Sequence, residues 1–446
     1  MKQALPRQTD IVVIGGGMAG LSAASRLHQC GVEVRLIEAQ ARVGGRVYSE
    51  KDDHGQPIEL GAQAFNRDMR ILARAARTHG LQRAPLHHQG KVVFDGIEQA
   101  QAKTAIERLE ALLDGNDPEF NALAGNPDSS LADAVDLLSP DDQSRQMMDS
   151  YVQELWGRPM DRLQLAHAVE ISKRFDSSRD DWEFQLVEGF GALAERMAAT
   201  LGDRLVLGAP VTRIEAQPEE VTVTSLCGSI RTKAAIIAVP PTVARHFMPD
   251  QHWSQNALST FEAGDLIKVV VQYDETFWRR KGYSGESISV KRPGFATADG
   301  TLADGGRPTL LVFIGGVQAR AISALSSEQR RLRIRSILIT LFGEAAGNPT
   351  GWYERNWIDE PWVGGAYTAH VSPGTMLEPD AVLRRFESGI TFACAEIAAR
   401  FPGYVEGAMQ EGWQAAERVL SGLNHAVEAK PSEQRLWSRF KRALGA

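Results

Sequence analysis

The chain has 446 residues, 43% hydrophobic and 24% charged, with 49 Lys and Arg against 56 Asp and Glu for a net charge of −7. That make-up is soluble-globular and too long for one hydrophobic core, so two or three compact units are expected, and the acidic balance argues against nucleic acid as the main partner. Three widely spaced cysteines, Cys30, Cys227 and Cys394, form no CxxC; they indicate neither a disulfide framework nor a zinc site, and they fit a reducing, cytoplasmic setting.

The opening "MKQALPRQTD" contains no apolar signal core with a cleavage site, so export is not expected. No stretch reaches the ~20 apolar residues of a membrane helix. "TDIVVIGGGMAGLSAASRLHQCGVEVRLIEAQ" then reads as strand, glycine turn, helix, strand. Ile11 to Ile14 form the apolar run of a parallel strand buried on both faces. Leu21, Ala24, Ser25 and His28 follow at helical spacing, and Gly31 stands where the helix would stop. Gly15, Gly17 and Gly20 satisfy G-x-G-x-x-G in its required context. The glycines make the turn and admit a pyrophosphate, and the helix N-terminus offers free N–H groups and partial positive charge. Glu38 ends the second strand, where a carboxylate accepts from an adenosine ribose and disfavours a phosphorylated one; a solvated strand-end carboxylate is the plain alternative. In "EAQARVGGRVYS", Gly45 and Arg46 add a second close-approach point and a guanidinium suited to a diphosphate. A plain NAD domain does not need them.

From Leu81 to Leu186 the chain turns mainly helical and charged, with breaks at "DGNDP" and "GNPDSS". Short β segments run from Arg204 to Pro240-Pro241. "DLIKVVVQYDETFW" and "TLLVFIGG" are further strands, Ser326 to Phe342 reads as a helix, and Ile390 to Leu420 returns to strand, glycine turn and helix. There is no internal repeat. The organisation is interleaved, with a nucleotide-type unit at both ends and another unit inserted between. Strand alternation groups Lys268 with Leu266, Val270 and Gln272, a face that by pattern alone reads as half-solvated. In "EPWVGGAYTAH", Gly365 lets the backbone press against something flat with Tyr367 standing over it; an ordinary turn is the alternative. In the tail, Leu436, Trp437, Phe440 and Leu444 share a helical face, with Arg435, Arg439, Lys441 and Arg442 largely away from it. Such a helix either lies on an anionic membrane or packs on its own domain.

With these motifs in order, the sequence resembles the flavin-dependent amine oxidases, the family of monoamine, polyamine and L-amino-acid oxidases. "GGGMAGLSAA", "IEAQARVGGRVYS" and "IELGAQAF" are similar to the family's FAD signature, "APVTRIE" to its adenine-reading segment, and "IKVVVQYDETFWRRKGYSG" to the strand carrying a flavin-facing lysine. "NWIDEPWVGGAYTAHVSPG" and "GYVEGAMQEGWQAAERVL" resemble the segments that close over the isoalloxazine. The match weakens between Ala84 and Leu186. It implies an α/β fold with a discontinuous Rossmann-type FAD-binding domain (1–83, 187–257, 360–425) interleaved with an α+β substrate-binding domain (84–186, 258–359) and a tail at 426–446. It further implies FAD contacts from Gly15, Gly17, Met18, Ala19, Gly20, Glu38, Ala39, Gly45, Arg46, Gly61, Ala62, Gln63, Val211, Trp357, Glu396 and Val405.

The resemblance also implies catalytic positions for Lys268, Tyr367 and Tyr404: the lysine would hold a water at the flavin edge, and two phenol rings would form a slot for a neutral amine. Ala366 stands where some relatives carry a flavin-bonded cysteine, so FAD is expected to be non-covalent. Cys394-Ala395-Glu396 replaces the usual Gly-Thr-Glu, with Cys394 read as a buried small residue. The implied reaction oxidises an amine to an imine, which hydrolyses to an aldehyde or ketone plus ammonia or a smaller amine, while dioxygen becomes hydrogen peroxide. Three competing readings stand beside it. An L-amino-acid oxidase would need a cation such as Arg174 or Arg179 for the substrate carboxylate; the others are a flavin-binding protein with little turnover and an NAD-linked dehydrogenase. "YVQELWGRP" and "DWEFQLVEGF" are expected to line the substrate access, with Phe184 and Glu188 as candidates. The oligomeric state is not readable from the sequence, and a homodimer is carried only as one possibility.

Overall fold

The computed structural model describes residues 5–115, 118–302 and 306–423. The expected amphipathic helix of the tail lies outside the described residues. Two sheets carry the architecture. In the first, the order is Leu205–Val206, Val34–Ile37, Gln8–Ile14, Gly228–Ile237, Glu220–Ser225 and Val211–Gln217, with Ile390–Phe392 also pairing with Gly228–Ile237. The inner strands are parallel, with Val12 opposite Arg35 on one side and Ala235 on the other, and Ile390–Phe392 joins them in parallel. Glu220–Ser225 and Val211–Gln217 add an antiparallel extension.

The apolar run of the first strand has the expected cause. Ile11 and Val13 enter one core, with the Met18–Gln29 and Val405–Gly422 helices, while Val12 and Ile14 enter another on the opposite face. A strand covered on both sides has no polar face to show. The Met18–Gln29 helix stops at Cys30, and Gly31 follows at φ 76°, as its sequence indicates. It lies so close to the Val405–Gly422 helix that a Cβ on Gly412 would sit 2.0 Å from the Ala19 carbonyl.

The second sheet runs Gly351–Asn356, Leu266–Gln272, Thr309–Gly315, Phe295–Asp299, Tyr283–Ser289 and Lys91–Asp95. Every pair is antiparallel except the last. Ile267, Val269 and Val271 face the Ser327–Phe342 helix. Leu266 and Val270 face the other way and pack with Ile58, Leu60, Leu311, Phe313 and Trp357. All seven residues of Leu266–Gln272 are buried, so the half-solvated reading of the Lys268 face is overturned. The 57–63 segment covers that face, and a strand's own alternation cannot register a cover supplied from elsewhere in the chain.

The region from Leu81 to Leu186 is mainly helical, as expected. The Gln99–Leu113, Leu131–Leu137, Asp142–Trp156 and Leu165–Arg174 helices share one core. Ser130 and Asp133 close a capping box at one helix start, and Asp141 caps another. Short strands at Arg83–Pro85, Lys91–Asp95 and Phe184–Leu186 interrupt the region. Among the described residues no helix is long and apolar enough to cross a membrane.

Candidate active site

The glycine turn shows which glycines the chain needs for itself and which it leaves open. A Cβ on Gly15, at φ 103°, would lie 2.6 Å from the Ala238 carbonyl oxygen, and one on Gly20 would lie 1.9 Å from that of Gly15. Both positions are closed by packing. Gly17 is different: a Cβ there meets only the Gly44 carbonyl oxygen, at 4.0 Å. Gly17 also begins the Met18–Gln29 helix, which has no side-chain cap and no acid in its first turn. The N–H groups around Met18 and Ala19 therefore face an open space, a donor set suited to an anion.

Glu38 is buried, and its carboxylate accepts from the Gly16 and Gln40 amides. Burial raises its pKa above the ordinary value, against the opposing pull of those amides and of Arg42. Ala39 follows it in the turn. The second glycine pair meets the first, since Gly44 N donates to Gly16 O at 2.8 Å and Gly45 lies at φ 59° beside Gly17. Val211 opens the edge strand just beyond Ala209, whose amide donates to the Glu38 carbonyl at 2.9 Å.

Arg46 donates to both Glu396 oxygens, at 2.6 and 3.2 Å, and to the Tyr367 carbonyl at 3.1 Å. Burial works to raise the Glu396 carboxyl, but the Arg46 charge overcomes it and holds the group below its ordinary value. Two residues singled out as cofactor contacts are thus each other's ion-pair partners. Cys394 beside them is buried, with its thiol pushed far up by that burial, as a structural cysteine requires. Val405 begins the last helix, whose N-cap is Tyr404 and which again lacks a side-chain cap. The one acid in its first turn, Glu406, instead accepts from Ile71 N and Leu72 N at 3.0 and 2.7 Å.

Lys268 is 0% exposed. Its Nζ donates to Gly61 O and to Gln63 Oε1, both at 2.8 Å. Gly61 must be glycine, because a Cβ would sit 2.2 Å from the Arg46 carbonyl oxygen, and Ala62 N donates to that same oxygen at 3.2 Å. Trp357 is buried and donates from Nε1 to Leu60 O at 2.8 Å. Glu59 on this segment was missed in the sequence. One of its oxygens accepts from Ser49 Oγ and Phe190 N, while the other is buried without a partner. Burial pushes Lys268 down and Glu59 up, and the charge of each opposes the shift of the other. The available signal was slight: Glu59 ends the short Pro57–Glu59 strand, two residues before Gly61.

An aromatic wall continues from the lysine. Phe313 is opposite Lys268 in register, and Nζ lies 5.4 Å from its ring centroid. The Phe313 centroid is 5.7 Å from that of Trp182 and 6.2 Å from that of Tyr367. Tyr404 donates its hydroxyl to Asp181 Oδ2 at 2.6 Å. Both phenols are held far above their ordinary pKa, first by burial and then by the charges of Glu154 and Asp181. Tyr367 packs against Phe313 and Tyr404 against Phe175 and Phe401. The Ala366–Tyr367 peptide is cis. Gly365 lies at φ 132°, and a Cβ there would sit 2.3 Å from the Gly264 carbonyl oxygen, so a neighbouring backbone segment itself demands the glycine.

A cavity of about 230 Å³ opens beside Phe313, with Tyr151, Glu154, Asp180 and Trp182 in its wall. The two expected access segments do line it, but through other residues than those chosen. Phe184 packs on Phe65 with centroids 5.8 Å apart, and Glu188 accepts from Gln82 N at 2.9 Å. Arg174 is paired with Glu170 and Asp380, and Arg179 with Asp68 and Glu183. Among the described residues, no Lys or Arg lines the cavity.

Comparison with known proteins gives a consistent answer. The profile of the family described as flavin containing amine oxidoreductase matches residues 18–420. Amine oxidase [flavin-containing] B of Bos taurus is 29% identical, with 96% of this chain and 88% of that protein covered. Amine oxidase [flavin-containing] A of Equus caballus is also 29% identical, with 94% and 86% covered. Among solved structures, cyclohexylamine oxidase from Brevibacterium oxydans IH-35A superposes with a TM-score of 0.85 at 24% identity, covering 94% of this chain and 100% of that one. Wild-type putrescine oxidase bound to putrescine gives 0.83 at 24%, covering 93% and 99%.

Proposed function

The chain belongs to the flavin-containing amine oxidoreductase family, and from that premise we propose that it oxidises an amine held between Tyr367 and Tyr404, with Lys268 at the reacting edge of a non-covalently bound FAD. When bound, FAD would supply the two-electron oxidation of the amine to an imine, with dioxygen as final acceptor and hydrogen peroxide as its product. The residues fit the group. Two long helices start uncapped at the site, Gly17 opens on free space, and Glu38 offers a buried acceptor.

In this reading Gly15, Gly17, Met18, Ala19 and Gly20 receive the diphosphate, with Gly45 and Arg46 closing on it and Glu396 fixing the guanidinium. Glu38 and Ala39 take the ribose, and Val211 reads the adenine. Gly61, Ala62, Gln63, Trp357 and Val405 surround the ring, where the start of the last helix favours negative charge. Ala366 offers no sulfur for a flavin bond, and Cys394 is sealed in the interior. The nucleotide unit is drawn from 1–83, 187–257 and 360–425, and the substrate unit from 84–186 and 258–359.

Tyr367 and Tyr404 present π faces that attract an incoming cation, while their apolar surroundings favour its neutral, reactive form. Lys268, held by Gly61 and Gln63, is depressed enough to exchange a proton within the physiological range. The observation that carries the reading is this buried lysine backing onto the Phe313–Trp182–Tyr367 wall. Among the described residues no Lys or Arg lines the cavity, which disfavours an amino-acid substrate, whose carboxylate would go unpaired there. A peroxide-coupled screen of the yellow protein tests it. Primary, secondary or polyamines should give peroxide, and L-amino acids should not. Peroxide from L-amino acids alone, or none from any amine with flavin bound, would overturn it.

A further inference from the structure

The two tyrosines of the proposed slot are held differently. Tyr367 meets Phe313 with ring centroids 6.2 Å apart, and among the described residues its hydroxyl has no hydrogen-bond partner. Tyr404 is the N-cap of the Val405–Gly422 helix, and its ring lies 5.3 Å from that of Phe175 and 6.5 Å from that of Phe401. Apolar contacts of that kind are non-directional. The directional contact is the hydroxyl, which donates to Asp181 Oδ2 at 2.6 Å, the length of a charge-assisted bond. A phenol hydroxyl lies in the plane of its ring, so a fixed acceptor sets both where the ring ends and how it is turned.

Asp181 is itself fixed by its neighbours. Asp180 accepts from Trp182 N at 2.9 Å, the Trp182 carbonyl accepts from His88 Nε2 at 2.6 Å, and the Glu183 carbonyl accepts from Leu86 N at 3.0 Å. The chain then enters the Phe184–Leu186 strand, paired with Arg83–Pro85. A neutral acceptor would be enough to satisfy an enclosed phenol. A carboxylate is harder to keep there: burial, resisted by the Tyr404 hydroxyl and reinforced by Asp180, raises Asp181 to about 6. What the charge provides is a shorter and stronger bond.

We propose that Asp181 is a positioning residue for amine oxidation: by holding the Tyr404 hydroxyl it sets the plane of one wall of the slot, and with it the pose of the amine. The assignment rests on the amine-oxidase reading and adds to it a residue that acts only through Tyr404.

The test is a double-mutant cycle on the holoenzyme, read as the limiting rate of anaerobic flavin reduction by the fastest amine of the peroxide screen. Asp181→Ala should lower that rate by at least about tenfold, the worth of one hydrogen bond to a charged group, while the amine's dissociation constant changes less. Asp181→Asn, which keeps an acceptor oxygen, should recover part of the rate. In a Tyr404→Phe background, Asp181→Ala should cost less than about twofold further, because the hydroxyl it acts through is gone. The tyrosine C–O infrared band that Tyr404→Phe removes should shift in Asp181→Ala, which reads the bond without any rate. Flavin content and melting temperature establish that the variants are folded. A full tenfold loss in the Tyr404→Phe background, or an unchanged rate and an unshifted band in Asp181→Ala, would overturn the positioning role and leave the oxidase reading standing. A parent flavin that no amine reduces would overturn both.

Discussion

At the residue scale the proposed chemistry turns on Lys268 and Glu59. A buried lysine that donates to a carbonyl and an amide, with a half-satisfied carboxylate close behind, is a proton store tuned by burial. Lys268→Met should slow flavin reduction or reoxidation by about a hundredfold, the usual worth of a positioned acid–base group. Following the two half-reactions separately checks this, and unchanged rates in both would remove Lys268 from the mechanism. The Glu59 charge raises the Lys268 pKa, so neutralising it must lower that pKa further. In Glu59→Gln the limb of the pH–rate profile belonging to Lys268 should therefore move to lower pH; a purely structural effect would lower the rate without moving the limb. The residue scale is also where the sequence was least legible. Lys268 read as half-solvated because alternation sees only one strand. Glu154 and Trp182 were passed over for Phe184 and Glu188 because which side chain of an access segment faces a cavity depends on the turn of distant elements.

At the element scale the strand–glycine–helix–strand–Glu unit was readable in full, since its causes are local sterics and helix-end donors. The structure adds a division of labour among the glycines. Gly20→Ala places a methyl against the Gly15 carbonyl and should destabilise even the apoprotein, at the upper end of the about 1–3 kcal/mol typical of overpacking. Gly17→Ala meets nothing nearer than 4.0 Å and keeps its ordinary φ of −72°. It should melt like the parent when FAD-free, yet bind FAD at least about tenfold more weakly, a loss of about 1.4 kcal/mol. Apoprotein melts and FAD titrations check both. Equal FAD affinity in Gly17→Ala would show that the open side of the turn is not where the cofactor lies. The Gly364-Gly365 pair was harder to read. Gly264, brought there by tertiary folding, is what closes on Gly365, and a glycine pair looks the same whatever presses on it.

Over the whole molecule, the interleaved chain puts the site at the joint between the two sheets. Ile58 and Leu60 from the first part pack with Leu266, Phe313 and Trp357 from the second. The sequence showed the alternation of units, but this shared layer is made of contacts between residues hundreds of positions apart. Behind the site, His167 and His370 pack with centroids 5.8 Å apart, and His167 Nε2 is buried without a partner. Burial lowers His167 to about 4 and holds His370 well below its ordinary value. The unfolded chain therefore binds more protons than the native one between pH 4 and the ordinary histidine value of 6.5. Stability from this source is complete above that window and is lost as pH falls through it. By about pH 5 one such histidine has cost about 2 kcal/mol of stability relative to neutral pH. His167→Phe should accordingly show a smaller drop in melting temperature from neutral to mildly acidic pH than the parent; an identical drop would mean that His167 is not held neutral.

The most direct measurement is anaerobic. The purified protein is mixed with a primary amine in the absence of dioxygen, and the visible absorbance of its flavin is followed before and after air is admitted. The account predicts that the absorbance bleaches with the amine, returns with dioxygen, and yields peroxide in proportion to flavin. A protein that carries no flavin, or a bound flavin that no amine bleaches, would contradict it.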